Sequence, residues 1–535
     1  MPRTLLIGAR VLDPGAEPCH PVEAIEVDGA RISWAGSAAA AADRPATTVL
    51  DLAGATLTPV FVDAHVHATA SGLLVDGLDL TGCGSPRALL DAVAARARAR
   101  PGALVWGHGW QEQDWAGPAP SRAELDRAAA GAPVYLSRVD VHSALVSSTL
   151  LDRAPGVAGA AGFSPGPLTT QAHHDARRAA LAAVDGPTRD AAQRAFLAAA
   201  AARGVGVVHE CAGPDISSVA DLAALRARPG PQVVGYWGEA VAGVAQAREL
   251  LAVTGAHGLA GDLFVDGSIG SRTAALRAPY ADAPGRTGHR YLDPDAIAAH
   301  VAACTEAGAQ AGFHVIGDAA ADALLAGLRA AAGRVARPMP PGPPHRVEHL
   351  EMVDPDQALE LATLGVVASV QPAFDACWGG PTGMYAERLG PARALPMNPY
   401  STLRRAGMTL ALGSDTPVTP VDPWGAVRAA VAHRTPGSGL RPIEALAAHT
   451  VGGHRAGGDP SALAGRLTVG APASYAVWDG PAALDPAAPT PRCLRSVHRG
   501  RILHDTLADP GPMLLPAPIH HRRSRRVSGV RFGAG

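Results

Sequence analysis

The sequence predicts an α/β chain: a (β/α)8 TIM-like barrel, a small β-sandwich domain formed by both chain ends, and an insertion over the barrel mouth. Three observations predict it. From about residue 204, apolar strand patterns alternate with alanine-rich helical ones, the rhythm of a parallel sheet. Strand-and-turn patterns fill the first sixty residues and return after Gly465. The 535 residues exceed one ordinary domain but suit a barrel of roughly 250–400 residues with additions.

At the start of the chain, Thr4–Ile7, Ala24–Val27, Ile32–Ala35 and Thr47–Leu50 are strand candidates, with turn chemistry at Asp28-Gly29 and Asp51-Leu-Ala-Gly54. Leu57-Thr-Pro-Val-Phe-Val62 is a compact apolar run, as in a strand covered on both faces. Pro86–Arg100 and Arg189–Arg203 read as helices, Val134–Leu136 as a strand, and the Gly/Pro-rich Pro155–Pro167 as a surface loop. Barrel strands are expected at Gly206–His209, Val233–Tyr236, Leu263–Val265, Ala311–Val315, Arg346–Glu348, Val366–Val370 and Thr409–Leu412. Helices are expected at Pro294–Ala307, Ala319–Ala332, Asp354–Leu364 and Pro423–His433. Strand patterns at 466–472 and Ser474–Trp478, and one final strand at Ser496–Leu503, complete the β domain. The expected division is 1–58 with 466–510 as the composite β domain, and 59–465 as the barrel, including an insertion at about 70–200. The basic tail at 511–535 is poor in apolar residues and is expected to be disordered.

A net charge of -2 gives no reason to expect nucleic acid or an anionic membrane as partner. All 46 Lys+Arg residues are arginine, so the chain has no lysine. That excludes a Schiff-base lysine, a P-loop lysine and a carbamylated lysine. The six cysteines are widely spaced and form no C-x-x-C, which suits a reduced cytoplasm better than a disulfide framework. The apolar run at Leu5–Gly8 is short for a signal peptide, and no stretch reaches the about 18 apolar residues of a membrane span. The expectation is a cytoplasmic protein with a small-molecule substrate; a second copy of the chain, as a homodimer, is left open as a partner.

The chemistry concentrates at strand ends. In Phe61-Val-Asp-Ala-His65-Val-His67, the period-two alternation of a strand points both imidazoles the same way, a natural pair of metal ligands. Gly312-Phe-His314 and Arg346-Val-Glu-His349 close two further apolar strands with histidine, and Thr409-Leu-Ala-Leu-Gly-Ser-Asp415 places a carboxylate just past another. Any one of these histidines alone could be a hydrogen-bonded core residue, and Asp415 alone could be a helix cap. Four strand ends bearing His/His, His, His and Asp, in that order, point instead to one metal-binding barrel mouth.

This constellation resembles the amidohydrolase superfamily, and within it the branch of YtcJ-like and N-substituted formamide deformylase-like proteins. The resemblance extends to about residue 480. Gly109-Trp-Gln-Glu-Gln-Asp-Trp115, Val139-Asp-Val-His142-Ser-Ala-Leu, Asp266-Gly-Ser-Ile-Gly-Ser-Arg-Thr-Ala-Ala-Leu276, Ser369-Val-Gln-Pro372 and Gly413-Ser-Asp-Thr-Pro-Val418 also carry it. Many relatives place a lysine four residues before the Asp-Gly of the fourth barrel strand, where its carbamate bridges two metals. Here that position is Asp262. Two arrangements follow. In the first, His65, His67, His314 and Asp415 hold one ion and His349 polarises substrate or water. In the second, a carboxylate, Asp262 or Glu210, bridges two ions. One ion is favoured over two, and Zn²⁺ over other divalent metals.

The resemblance implies a metal-dependent hydrolase of a non-peptide C–N bond, of amide, N-acyl or formamide type. Asp415 would act as general acid/base and His349 as a stabiliser of the oxyanion. Trp110, His142 and Arg272 are the expected substrate contacts. Two alternatives stand beside this reading: a deaminase of an aminated heterocycle, and a catalytically silent barrel that binds a ligand.

Overall fold

The computed structural model describes residues 3–15, 22–45, 48–113, 115–334, 343–482, 484 and 489–507. The tail at 511–535 lies outside them. Eight strands form one parallel sheet: β1 (Phe61–Val66), β2 (Val205–Ala212), β3 (Gln232–Trp237), β4 (Gly258–Leu259), β5 (Gln310–Val315), β6 (Arg346–His349), β7 (Val367–Val370) and β8 (Leu410–Leu412). They neighbour one another in sequence order, and neighbours pair in parallel. β1 and β2 are buried at every residue, because helices cover one face and the barrel interior fills the other.

The sheet closes at its mouth. Val66 bridges Thr416 in parallel, the Asp415 N–H donates to the His65 carbonyl at 2.8 Å, and the His67 N–H donates to the Thr416 carbonyl at 2.9 Å. Gly413 allows this approach: a Cβ there would lie 2.7 Å from the His65 nitrogen. The seam therefore fixes His65, His67 and Asp415 relative to one another through the backbone.

Three expected strands differ. Residues 466–472 form turns rather than a strand, with a single antiparallel bridge from Pro472 to Arg31. Leu263–Val265 is not a strand. β4 ends at Leu259, and Gly261, at φ 78°, turns the chain before Asp262. Phe264 retains a single parallel bridge to His314. The expected strand at Ser496–Leu503 is two, Cys493–His498 and Arg501–Asp505, paired antiparallel. Arg499 and Gly500, at φ 49° and 77°, form the tight turn between them.

Beside the barrel lie two further sheets. One orders Arg31–Gly36, Ala24–Asp28, Thr4–Ile7 and Thr48–Asp51. The other orders Arg10–Val11, Thr56–Pro59, Tyr475–Trp478, Cys493–His498 and Arg501–Asp505, so strands from both chain ends share it. Leu6, Ile25, Ile32, Leu57, Val477 and Val497 pack between the two. A third β sheet is inserted after β1. It orders Leu168–Thr169, Ser143–Val146, Val134–Arg138, Val105–Trp110 and Leu78–Asp79. It reaches the mouth, where Asp140 accepts hydrogen bonds from Ser268 and Ser271 at 2.6 and 2.8 Å. Among the described residues, no helix is long and apolar enough to cross a membrane.

Trp478 ties the composite sheet to the barrel. Its ring centroid lies 5.8 Å from Phe61 and 5.4 Å from Trp424, and its Nε1 donates to Thr58 Oγ1 at 2.9 Å. Replacing Trp478 with Ala should cost ~3–5 kcal/mol through the lost contacts and the cavity left behind. Denaturant unfolding checks this; a loss below ~1 kcal/mol would separate the C-terminal strands from the folding of the barrel.

Candidate metal centre at the barrel mouth

The site is built from strand ends. Alternation along β1 sends His65 inward, and the buried Asp63 supports the turn by accepting from the Ser414 N–H at 2.8 Å. His314 sits in β5, His349 ends β6, and Asp415 follows β8. His349 and Asp415 adopt φ 73° and 53°, a left-handed backbone that costs about 1–2 kcal/mol per residue. Backbone bonds hold both in place: Leu350 N–H to the Val315 carbonyl at 2.9 Å, and the Asp415 seam bond.

Asp262 stands at the centre. Its Oδ1 lies 3.4 Å from His65 Nε2, 3.4 Å from His314 Nδ1 and 4.0 Å from His349 Nε2, and its Oδ2 lies 3.2 Å from His67 Nε2. Asp415 Oδ1 is 3.1 Å from His67 Nε2 and 3.4 Å from His65 Nε2. The His314 and His349 rings are 4.3 Å apart. All six residues are buried. Three sets of donors each fall within 4.8 Å of one another: His65, His67 and Asp262; His65, His349 and Asp415; Asp262, His314 and His349. Among the described residues, His65 Nε2, His67 Nδ1 and both ring nitrogens of His349 have no hydrogen-bond partner.

Charge inside this cluster is mutually dependent. Burial alone would raise the Asp262 carboxyl, but the positive charge of His65 and contacts from His314 and His67 outweigh it and hold the group well below its usual range. Burial opposes protonation of His67, yet Asp262 and Asp415 push it up to about 9. His349 goes the other way: burial, with His314 and His65 beside it, keeps it neutral. Burial opposes a ring proton on His65 and on His314 as well, yet neighbouring acids, Asp262 among them, raise both above the ordinary imidazole value.

Beneath the donors runs a chain of buried groups. His65 Nδ1 lies 3.0 Å from Glu348 Oε2. Arg346 donates to both oxygens of Glu348, at 2.6 and 2.9 Å, and to the Ala64 carbonyl at 2.7 Å. Its guanidinium lies 4.5 Å from the Tyr236 ring centroid. A donor set of His65, Cys211 and Glu348 also falls within 4.8 Å, but its carboxylate is already engaged by Arg346 and His65. With Glu348 accepting at Nδ1, the Nε2 lone pair of His65 faces the cluster, as outer carboxylate partners arrange for metal-binding histidines.

The structure brings His65, His67, His314, His349, Asp415 and Asp262 together, with His142 5.1 Å from the His314 ring. It does not bring Glu210 there. That carboxyl accepts from the Ala68 N–H at 2.8 Å, at the start of the helix after His67. Trp110 is packed against Trp115 inside the inserted sheet, its Nε1 donating to the Leu136 carbonyl at 2.9 Å. Arg272 forms an ion pair with Asp282 at 2.6 Å and does not line the cavity beside the cluster. Sequence reasoning did not single out Arg346, Glu348, Asp140 and Glu351. The first two were open to detection: two charges at period two on an apolar strand share one face and need each other.

A sequence model of the amidohydrolase family matches residues 48–504. The chain belongs to the amidohydrolase family. This amidohydrolase is 27% identical over 442 residues to the putative amidohydrolase YtcJ of Bacillus subtilis (strain 168), covering 77% of this chain and 80% of that protein. It is 31% identical over 144 residues to an N-substituted formamide deformylase of Arthrobacter pascens, covering 24% and 25% of the two chains. A crystal structure of an uncharacterized metal-dependent hydrolase from Pyrococcus furiosus superposes with a TM-score of 0.69 at 25% identity, over 90% of this chain and all of that one.

The buried Arg346–Glu348 pair sets a prediction for this amidohydrolase. Burial alone would raise the Glu348 carboxyl, but the Arg346 charge and the His65 contact bring it down to about 2 from an ordinary 4.5. A depressed folded value means stability that is full above pH 4.5 and lost as pH falls towards 2. Glu348→Gln should lose ~3–5 kcal/mol at neutral pH, because a buried guanidinium is left uncompensated. It should also lose that acid-dependent component and bind metal about 10–100-fold more weakly. Denaturant titrations across pH, with metal affinity measured by competition against a chelator, check all three.

Proposed function

We propose that this amidohydrolase cleaves a carbon–nitrogen bond other than a peptide bond, of amide, N-acyl or formamide type, using divalent zinc at the barrel mouth. One observation carries the reading: six imidazole and carboxylate side chains converge in a buried cluster whose His65 Nε2, His67 Nδ1 and both His349 nitrogens have no hydrogen-bond partner. Buried polar atoms are normally satisfied, so lone pairs left over among imidazoles and carboxylates fit a cation. Histidine with carboxylate suits zinc. His65, His67 and Asp262, joined by Asp415, would hold one ion; Asp262, His314 and His349 would hold a second. His314 shares its donor set with Asp262 and His349 rather than with the β1 histidines. That favours two ions, with Asp262 contributing to both donor sets, over one ion that His65, His67, His314 and Asp415 would hold.

Such a cation supplies Lewis acidity, which acidifies water towards neutral pH and polarises a carbonyl. Asp415 takes the proton of the attacking water as its oxygen bonds to the sp² carbon, then delivers it to the nitrogen as the C–N bond breaks. His142 is kept neutral, since burial and His314 push it down to about 3. It faces the same space and can present a ring N–H to the developing oxyanion. The similarity to an N-substituted formamide deformylase supports a formyl or small acyl group as the part attacked.

Elemental analysis of purified protein should find about two zinc ions per chain, and about one or fewer in Asp262→Asn. Asp415→Asn should retain metal while turnover of N-formyl and N-acyl amines falls ~10²–10⁴-fold. Undiminished turnover in Asp415→Asn refutes the proton-transfer role, and a metal-free wild-type protein refutes the hydrolase reading.

A further inference from the structure

Beside the donor cluster the space continues into a partly open cavity of about 330 Å³, lined in part by His314, His349 and Asp415. Its walls are apolar and aromatic. Phe374, Trp378, Met384 and Tyr385 come from the segment after β7, and Ile269 and Ile316 from the loops after β4 and β5. The space is narrow, with large side chains on several sides. Only a compact group fits.

Two carboxyl groups interrupt the apolar wall. Glu351 is 2% exposed; Tyr385 hydrogen-bonds to its carboxyl, while Oε2 has no partner. Asp140 engages Ser268, Ser271 and Arg138 through Oδ2, and its buried Oδ1 is likewise without a partner. Among the described residues no arginine lines the cavity, and the chain has no lysine. Two buried arginines lie behind its wall. Arg138 pairs with Glu112 at 2.8 Å and, on the side away from the free Oδ1, with Asp140 Oδ2 at 3.1 Å; Arg388 pairs with Glu112 at 3.0 Å and Asp282 at 2.7 Å. A carboxylate carried into this space would be desolvated beside two carboxyl groups with no guanidinium on the cavity wall to meet it. An N–H or ammonium donor would satisfy the two free oxygens, and the aromatic faces of Phe374, Trp378 and Tyr385 favour a cation over an anion.

We propose that this cavity selects substrates whose non-reacting group is compact, apolar and free of anionic charge, with an amine or other N–H donor placed against Glu351 and Asp140. The selected class is the N-acyl or N-formyl amine; N-acyl amino acids, with their carboxylate, are excluded. The assignment rests on the hydrolase reading for the reacting end of the molecule, while the charge selection can be read from binding alone.

Three probes of similar length test it: N-formylpentylamine, which is neutral; N-formylputrescine, which is cationic; and N-formyl-γ-aminobutyrate, which is anionic. Binding is measured by calorimetry on zinc-loaded Asp415→Asn protein at neutral pH, and turnover on the zinc-loaded wild type. The neutral and cationic probes should bind at least about tenfold more tightly than the anionic one. Adding Glu351→Gln should reduce the advantage of N-formylputrescine over N-formylpentylamine, with zinc content and circular dichroism unchanged. If that variant does not fold, Asp140→Asn provides the same comparison. Anionic binding as tight as the others, or no binding by any probe, overturns the proposal. Charge-selective binding without turnover of any probe would sink the hydrolase reading and leave the selection intact; turnover without charge selectivity would do the reverse.

Discussion

A guanidinium buried at the centre of the barrel constrains everything above it. Arg346 cannot shed its charge at any pH the fold survives, so its place between β5 and β7 depends on Glu348 and on the Ala64 carbonyl. Glu348, held by Arg346 at both oxygens, shares its Oε2 with His65 Nδ1. The orientation of the first β1 histidine is therefore set from below by an ion pair, and from the side by the seam bond from Asp415 to its own carbonyl. The donor atoms at the mouth are held in part by buried groups that lie outside the cavity lining, Arg346 and Glu348. This is how a rigid scaffold keeps several polar side chains aimed at one point against their mutual repulsion.

Much of this was legible in the sequence, for a clear reason. His65, His67, His314, His349 and Asp415 end apolar strands, and a strand in a parallel barrel announces its end when an apolar run stops at a polar side chain. The family and barrel architecture follow from the same pattern. What was not legible depends on tertiary contact. Asp262 follows a glycine turn after a two-residue strand, so apolar composition placed β4 too late. Trp110 and Arg272 lie in segments that resemble the family, but resemblance of a segment does not say which of its side chains faces the cavity. Trp110 spends its indole N–H on a backbone carbonyl and Arg272 its charge on Asp282. Glu210 ends on an N–H at the start of the helix after His67, a partner assigned by the fold rather than by spacing.

The inserted sheet gives the mouth its chemical character. It contributes Asp140 and His142 to a space otherwise walled by the segment after β7. Its Asp140 accepts from Ser268 and Ser271, which ties the insertion to the loop after β4 beside the donor cluster. Barrel strand ends supply most of the donor cluster, while loops and insertion wall the space beside it, a common division in this architecture.

The absence of lysine gives Asp262 its particular interest. A carbamylated lysine reaches a metal pair from a strand end on a long side chain; an aspartate has one methylene and cannot. In the proposed two-ion arrangement the backbone must make up the difference. Gly238, after β3, lies so close to the Asp262 main chain that a Cβ there would fall 2.7 Å from the Asp262 carbonyl carbon. Gly261, at φ 78°, lies so close to Cys211 of β2 that a Cβ there would fall 2.9 Å from the Cys211 Cβ. The two glycines let the loop after β4 lean inward, which puts a short carboxylate within 3.2–4.0 Å of four imidazoles. A side chain shortened at the centre is thus offset by side chains removed beside it, a compensation that is visible only once the strands are packed.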